Sequence, residues 1–177
     1  MSRFLKNDLL ERLDRLDEDA DLLFDGEDKR FRMVIVGGSA LVLLETITRA
    51  TRDIDALDVS PEIASLLERY DINTNVAAYM NNFPYNYDDR LVPIHTGGRR
   101  IDFYTASLED VVIAKLCSAR SKDRQDIVTP SVLAEIDWDR LERLATADDE
   151  IKLTALNERS YNEFLYNYHE YIERYRK

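Results

Sequence analysis

Apolar and polar positions divide the chain into a strand-bearing first half and a helical second half. Residues 4 to 24 set Phe4, Leu10, Leu13, Leu16 and Leu23 near helical spacing, which predicts an amphipathic helix. "FDGEDKR" breaks it, and "FRMVIV" (31 to 36) is a β-branched apolar run that reads as a buried strand. Gly37 and Gly38 end that strand. "SALVLLETI" then predicts a helix opening at Ser39, a good N-cap residue. Charged and apolar residues alternate through the start of "RDIDALDV" (52 to 59), a second strand. Pro61 falls in the first turn of a helix over "PEIASLLERY", and "NTNVAAYMNNF" also reads as helical.

Residues 89 to 106 predict a hairpin whose strands join through Thr96, Gly97 and Gly98. Ser107, with Asp110 three residues on, gives "SLEDVVIAKLCSAR" a capping-box-like start. Further helices are expected at 122 to 128, 130 to 145 and 160 to 176. The expected class is α+β: a small mixed sheet packed with helices, followed by a helical C-terminal half. The organisation expected is an N-terminal helix (1 to 30), a core (31 to 106) and a helical region (107 to 177) packed on it as one compact domain.

Composition changes this picture little. The chain has 177 residues, 45% apolar and 33% charged, which is ordinary for a globular fold with a real core. Its 35 acidic against 24 basic residues argue against an extended nucleic-acid surface, which needs positive charge to displace counterions. The N-terminus lacks the apolar core of a signal peptide, and no run approaches the roughly 18 apolar residues that span a bilayer. A cytoplasmic location is therefore expected. Cys117 stands alone, so neither a disulfide framework nor a thiolate metal cluster is expected.

Candidate chemistry concentrates in "VGGSALVLLETITRATRDID" (36 to 55). Strand alternation places Asp53 and Asp55 on one face, with Cα atoms roughly 7 Å apart. Two such carboxylates repel unless a cation joins them, and Mg²⁺ accepts one or two carboxylates plus waters and phosphates. A third carboxylate on a neighbouring strand would complete a two-metal site. Asp102, between Ile101 and Phe103, has the same apolar-Asp-apolar setting and is the candidate. Gly37 and Gly38 permit a tight turn, and the N–H groups at the start of the following helix suit an anion. Arg49, Thr51 and Arg52 precede the aspartates and are within reach of phosphate oxygens. Taken singly, Gly-Gly is a turn and Asp-x-Asp a solvated strand edge; their order is the specific signal.

That order resembles the nucleotidyltransferase superfamily with the polymerase-beta-like fold: strand, Gly-Gly or Gly-Ser, helix, then Asp-x-Asp on the next strand. Gly37, Gly38 and Ser39 match the first part, Asp53 and Asp55 the second. "R-x-T-x-D-I-D" (Arg49, Thr51, Asp53, Asp55) is closer to a small uncharacterised bacterial branch related to toxin-type nucleotidyltransferases, as is the ending "ERSYNEFLYNYHEYIERY". The resemblance implies an NTP substrate, an Mg²⁺ (or Mn²⁺) cofactor held by Asp53, Asp55 and Asp102, and transfer of a nucleoside monophosphate to an unknown acceptor. It implies nucleotide-binding roles for Gly37, Gly38, Ser39, Arg49, Thr51 and Lys122. It further implies that Lys115 contacts phosphate and that Asp123 supports catalysis or positions Lys115, within "KLCSARSKDRQDI".

On the residues alone, Lys115 is equally a lysine snorkelling from the margin of the stripe Leu108, Val112 and Leu116. Asp123 and Asp126 equally fit a surface charge network with Arg120 and Arg124. His95 and His169 suit ordinary packing, and Phe83, Tyr85 and Tyr87 either line a base-stacking lid or pack beneath a loop. Tyr161, Phe164, Leu165, Tyr168, Ile172 and Tyr175 mark one helix face, either core or the docking face for an antitoxin or a second copy. A catalytically silent nucleotide-binding or scaffold domain is the alternative to an enzyme.

Overall fold

The computed structural model describes residues 5–48, 51 and 53–177, without the side chains of 77 and 78. Phe4, Arg49 and Arg52, named above, lie outside the described residues. The elements run α1 (Lys6–Leu23), β1 (Phe31–Val36), α2 (Gly37–Leu43), β2 (Ile54–Leu57), α3 (Ala64–Arg69), β3 (Ile72–Asn73), β4 (Val92–Ile94) and β5 (Ile101–Thr105). They continue as α4 (Leu108–Leu116), α5 (Ser121–Asp126), α6 (Pro130–Glu135), α7 (Trp138–Thr146), α8 (Ile151–Thr154) and α9 (Glu158–Tyr175). A mixed five-stranded sheet followed by a helical half is the class the sequence pattern predicts. The chain forms two compact units: Met1–Ala77 with Leu91–Ala106, and Ala78–Arg90 with Ser107–Lys177.

The first unit holds the whole sheet, in the order β3-β2-β1-β5-β4. β1 pairs antiparallel with β2 and parallel with β5, and β4 pairs antiparallel with β5 as the hairpin reading expects. One face carries Met33, Ile35, Ile54, Ala56, Ile101 and Phe103 and is buried throughout. The other face is mixed: Val34 and Val36 are buried, Arg32 is exposed, and Asp55, Asp102 and Tyr104 are half-buried.

Helix α1 buries Leu9, Leu13, Leu16 and Ala20, spaced by four, three and four. The expected stripe through Leu10 and Leu23 is rotated by about one residue, and Leu23 is exposed, because Leu9 rather than Leu10 completes the face toward the core. Each buried leucine contributes roughly 1.5–3 kcal/mol. The same helix carries a fully buried carboxylate: Asp17 accepts the backbone N–H groups of Arg99, Arg100 and Ile101 at 2.6–2.7 Å. Asp14 accepts the Gly97 N–H at 3.1 Å, and a Cβ at Gly97 would stand 2.6 Å from that carboxylate. The hairpin loop is thereby tied to α1.

α2 opens at Gly37, not Ser39, and ends at Leu43. Gly37 takes φ +66°, which turns the chain out of β1 two residues earlier than a serine cap would. The Ser39 hydroxyl instead donates back to the Val36 carbonyl at 3.0 Å.

In the second unit Ser107 caps α4, its oxygen accepting the Asp110 N–H at 3.2 Å. The helix expected over 130 to 145 is broken at Ile136–Asp137. Asp137 takes an extended conformation and caps α7 by accepting the Arg140 N–H at 3.0 Å. "NTNVAAYMNNF" supplies only a 3-10 turn, Ala77–Asn82, and not an α-helix. Arg90 forks onto Asp110 at 2.9 and 3.0 Å and reaches Glu150 at 3.4 Å, so one guanidinium bridges two buried carboxylates, and Arg143 also donates to Glu150 at 3.1 Å. On α9, Phe164, Tyr168 and Tyr171 are buried in this unit's own core, with Phe164 and Tyr168 stacked at 6.1 Å. Phe83 and Tyr87 are likewise core residues, 5.6 Å apart, while Tyr85 between them is exposed.

Candidate active site

The end of β1, the Gly37 bend and the start of β2 meet because β1 and β2 are antiparallel. Val36, the last residue of β1, pairs with Asp55. A Cβ added to Gly37 would lie 3.0 Å from Asp55 Oδ2, so that oxygen faces the bend at close range. Glycine serves two needs here, a positive φ and the absence of a side chain where the carboxylate approaches. The other oxygen, Oδ1, accepts from Asn73 Nδ2 at 2.9 Å across the β2–β3 pair. One oxygen is anchored and the other is presented.

Asp53 lies at the entrance to β2, one residue before its first strand position, and is exposed. Among the described residues, no hydrogen bond or ion pair engages its carboxylate. Thr51 is buried, and its hydroxyl donates to the Asp53 carbonyl at 3.1 Å. Its proton is engaged within the chain in this arrangement. The same holds for Ser39, whose buried hydroxyl is bound to Val36; what the Gly37–Ser39 segment offers an anion is first-turn backbone N–H groups, which have no intrahelical acceptor.

Asp102 is not brought to this place. On β1 its partner is Arg32, whereas the partner of Asp55 is Val36. Four residues of strand separate the two levels, about 13 Å along β1. Asp102 is instead clasped by the Arg30 guanidinium through both of its oxygens. The expectation of three convergent carboxylates fails on strand register. At the level of Val36 the chain beyond β5 carries Ala106, whose N–H donates to the Ile35 carbonyl at 3.3 Å.

Two carboxylates remain for a cation, and among the described residues no group of three or more His, Cys, Asp or Glu side chains is set to hold a metal. Their chemistry fits Mg²⁺ or Mn²⁺. Both are hard oxygen donors, Asp55 Oδ2 is directed into the glycine bend, and Mg²⁺ keeps waters and substrate phosphates as its remaining ligands.

In the second unit the structure joins Lys115, Asp123 and Asp126. Lys115 is buried, its ammonium donating to Asp123 Oδ1 at 2.7 Å and to Asp126 Oδ2 at 2.9 Å. It is not a snorkelling lysine, and the two aspartates are not a surface network. Asp123 also accepts from Ser118 Oγ at 2.6 Å and Arg120 Nε at 2.7 Å. Burial pushes the Asp123 carboxyl up, but Lys115, Ser118 and Arg120 outweigh it and hold the group below the usual carboxylate range. Lys122, on the same helix, is exposed. His95 and His169 are exposed, the latter edge-on to Tyr168.

Asn73 is the site residue that the sequence does not reveal. Its partner is 18 positions away and no local pattern marks it.

A glycine bend that follows the central strand of a small mixed sheet and faces an Asp-x-Asp segment on the adjoining strand is the arrangement of the nucleotidyltransferases. The chain belongs to the family described as a nucleotidyltransferase of unknown function (DUF6036), whose model matches residues 11–176. Comparisons with curated proteins and with solved structures return no match. No helix among the described residues is long and apolar enough to cross a membrane.

Proposed function

We propose that the protein transfers a nucleoside monophosphate from an NTP to an acceptor hydroxyl at the Gly37–Asp55 site. The observation that carries this reading is the direction of Asp55 Oδ2, toward the glycine bend, where a Cβ at position 37 would stand only 3.0 Å from it. Asp53 and Asp55 would hold Mg²⁺ or Mn²⁺, which supplies charge stabilisation at the α-phosphate and its leaving group. Asn73 fixes the Asp55 carboxylate so that it need not reorganise during the reaction. The N–H groups of Gly38 and Ser39 orient phosphate oxygens. In the transfer the acceptor oxygen loses its proton and bonds to the α-phosphorus, the bond from that phosphorus to the β-phosphate oxygen breaks, and pyrophosphate leaves.

The net charge of −11 favours a small molecule or a protein as acceptor over an extended RNA. A toxin-like role follows from the resemblance of the Arg49–Asp55 block. An antitoxin or a second copy docking on α9 would meet the exposed Tyr166 and the half-buried Leu165 and Ile172, since Phe164, Tyr168 and Tyr171 are used internally.

The position of Asp102 favours a second reading, a domain that binds nucleotide without transferring it. Incubation with each labelled NTP, Mg²⁺ and cell extract separates the two. Label transfer by wild type and none by Asp55→Asn supports the enzyme. Calorimetric NTP binding by folded wild type with no transfer from any NTP supports the silent domain.

A further inference from the structure

The second unit contains a cavity of about 940 Å³, framed by the loop after α4, by α5 and by the first turns of α9. Arg124 of α5 lines it, and its Nε is buried with no hydrogen-bond acceptor among the described residues. The two carboxylates nearest to it on α5, Asp123 and Asp126, are turned to Lys115 instead. Arg159, the other cation in the lining, is already paired with Glu163 at 2.9 Å and is exposed. Glu158 sits exposed in the first turn of α9, where the helix N-terminus stabilises it. Arg124 thus brings to the cavity a guanidinium whose shielded Nε has no acceptor among the described residues, an arrangement that a buried charged donor tolerates poorly.

The rest of the wall mixes apolar and aromatic side chains, Ile151, Leu156 and Tyr161 among them, with the polar Asn81, Asn82 and Asn162. The half-buried Tyr161 is backed by the core ring of Phe164 at 6.2 Å, and Leu156 and Tyr166 stand exposed at the rim. The volume is that of pockets for small organic ligands. We propose that this cavity binds a small molecule carrying an anionic group, a carboxylate or a phosphate, on a planar aromatic body, with Arg124 receiving the anion. The guanidinium fork suits either anion, and the rings of Tyr161 and Tyr166 suit an aromatic body. The inference uses only residues of the second unit and does not depend on catalysis at Asp53 and Asp55.

Phenyl phosphate and benzoate are the probes, with inorganic phosphate and phenol as controls, each titrated calorimetrically into the full chain and, in wild type, with the Arg124 Nε–H resonance followed as well. One of the two aromatic anions is expected to shift that resonance saturably, at least tenfold more tightly than phosphate or phenol, and which of them binds better tells phosphate from carboxylate. Arg124→Gln should abolish binding. Leu156→Asp, at the exposed rim, should weaken it several-fold in a chain whose core is untouched. An unmoved Nε–H resonance with both aromatic anions at millimolar concentration, or equal affinity in folded Arg124→Gln, overturns the proposal. Inorganic phosphate binding as tightly as phenyl phosphate overturns the aromatic part.

Discussion

Asp55 and Asp102 occupy the same face of the sheet on either side of β1, yet Asp55 stands opposite Val36 and Asp102 opposite Arg32. The two carboxylates therefore have different surroundings. Asp55 is anchored by Asn73 and points at a glycine, while Asp102 is neutralised by Arg30. Asp55→Asn is expected to lower nucleotidyl transfer by at least about 100-fold, the scale of removing one preorganised charge-stabilising group. Asp102→Asn should change it by less than roughly threefold, since it breaks only a half-exposed ion pair. Labelled-NTP transfer measures both, and abolition by Asp102→Asn would refute the assignment.

Gly37→Ala tests the bend itself. A non-glycine residue at φ +66° is strained by about 1–2 kcal/mol, and the added carbon would press on Asp55 Oδ2. Thermal unfolding should show a lowered midpoint, and NTP affinity measured by calorimetry should fall. Unchanged stability together with unchanged affinity would show that the bend is not the phosphate site.

Removing Lys115 leaves two carboxylates buried without their shared cation. Lys115→Met should cost roughly 3–5 kcal/mol in urea unfolding. Acid sensitivity follows from Asp123, whose folded pKa lies below its unfolded value of about 3.9. Between those values the unfolded chain binds more protons, so this stabilisation is complete above about pH 4 and is lost as pH falls through the folded value. Asp123→Asn should flatten that part of the stability profile, and an unchanged acid slope would contradict the role given to the ion pair.

Asp17→Ala removes the acceptor of three consecutive backbone N–H groups. At least one of these donors is buried, so the expected loss is roughly 2–4 kcal/mol. Hydrogen exchange should accelerate first at Arg99, Arg100 and Ile101. If protection there survives the substitution, α1 does not hold the hairpin loop.

Tyr168 and Tyr171 set an alkaline limit. Burial pushes the Tyr168 phenol up to about 12 and Tyr171 higher still; the latter donates to the Ile127 carbonyl at 2.6 Å. With an ordinary value near 10, the unfolded chain ionises first. Stability is thus complete below about pH 10 and drains as pH rises toward the folded values. Urea midpoints against pH, followed with phenolate absorbance, should show this decline, and Tyr171→Phe should reduce its slope.

Local chemistry was legible along the chain. The strand FRMVIV, the glycine bend and Asp55 near it follow from side-chain alternation and the φ that only glycine accepts freely, properties of a few adjacent residues. The capping of α4 by Ser107 is of the same kind. Strand pairing lies outside that reach: Asp102 looked like Asp55 because both are flanked by apolar residues, and only the parallel register of β5 against β1 placed it four residues away. Asn73 beside Asp55, Asp17 beneath the hairpin loop and the burial of Lys115 between two aspartates were likewise decided in three dimensions. A carboxylate takes its function from the charges and donors that reach it. In this protein those partners come from other elements, so the chain's order pointed to the chemistry and the packing of strands and helices set which acids are placed for it.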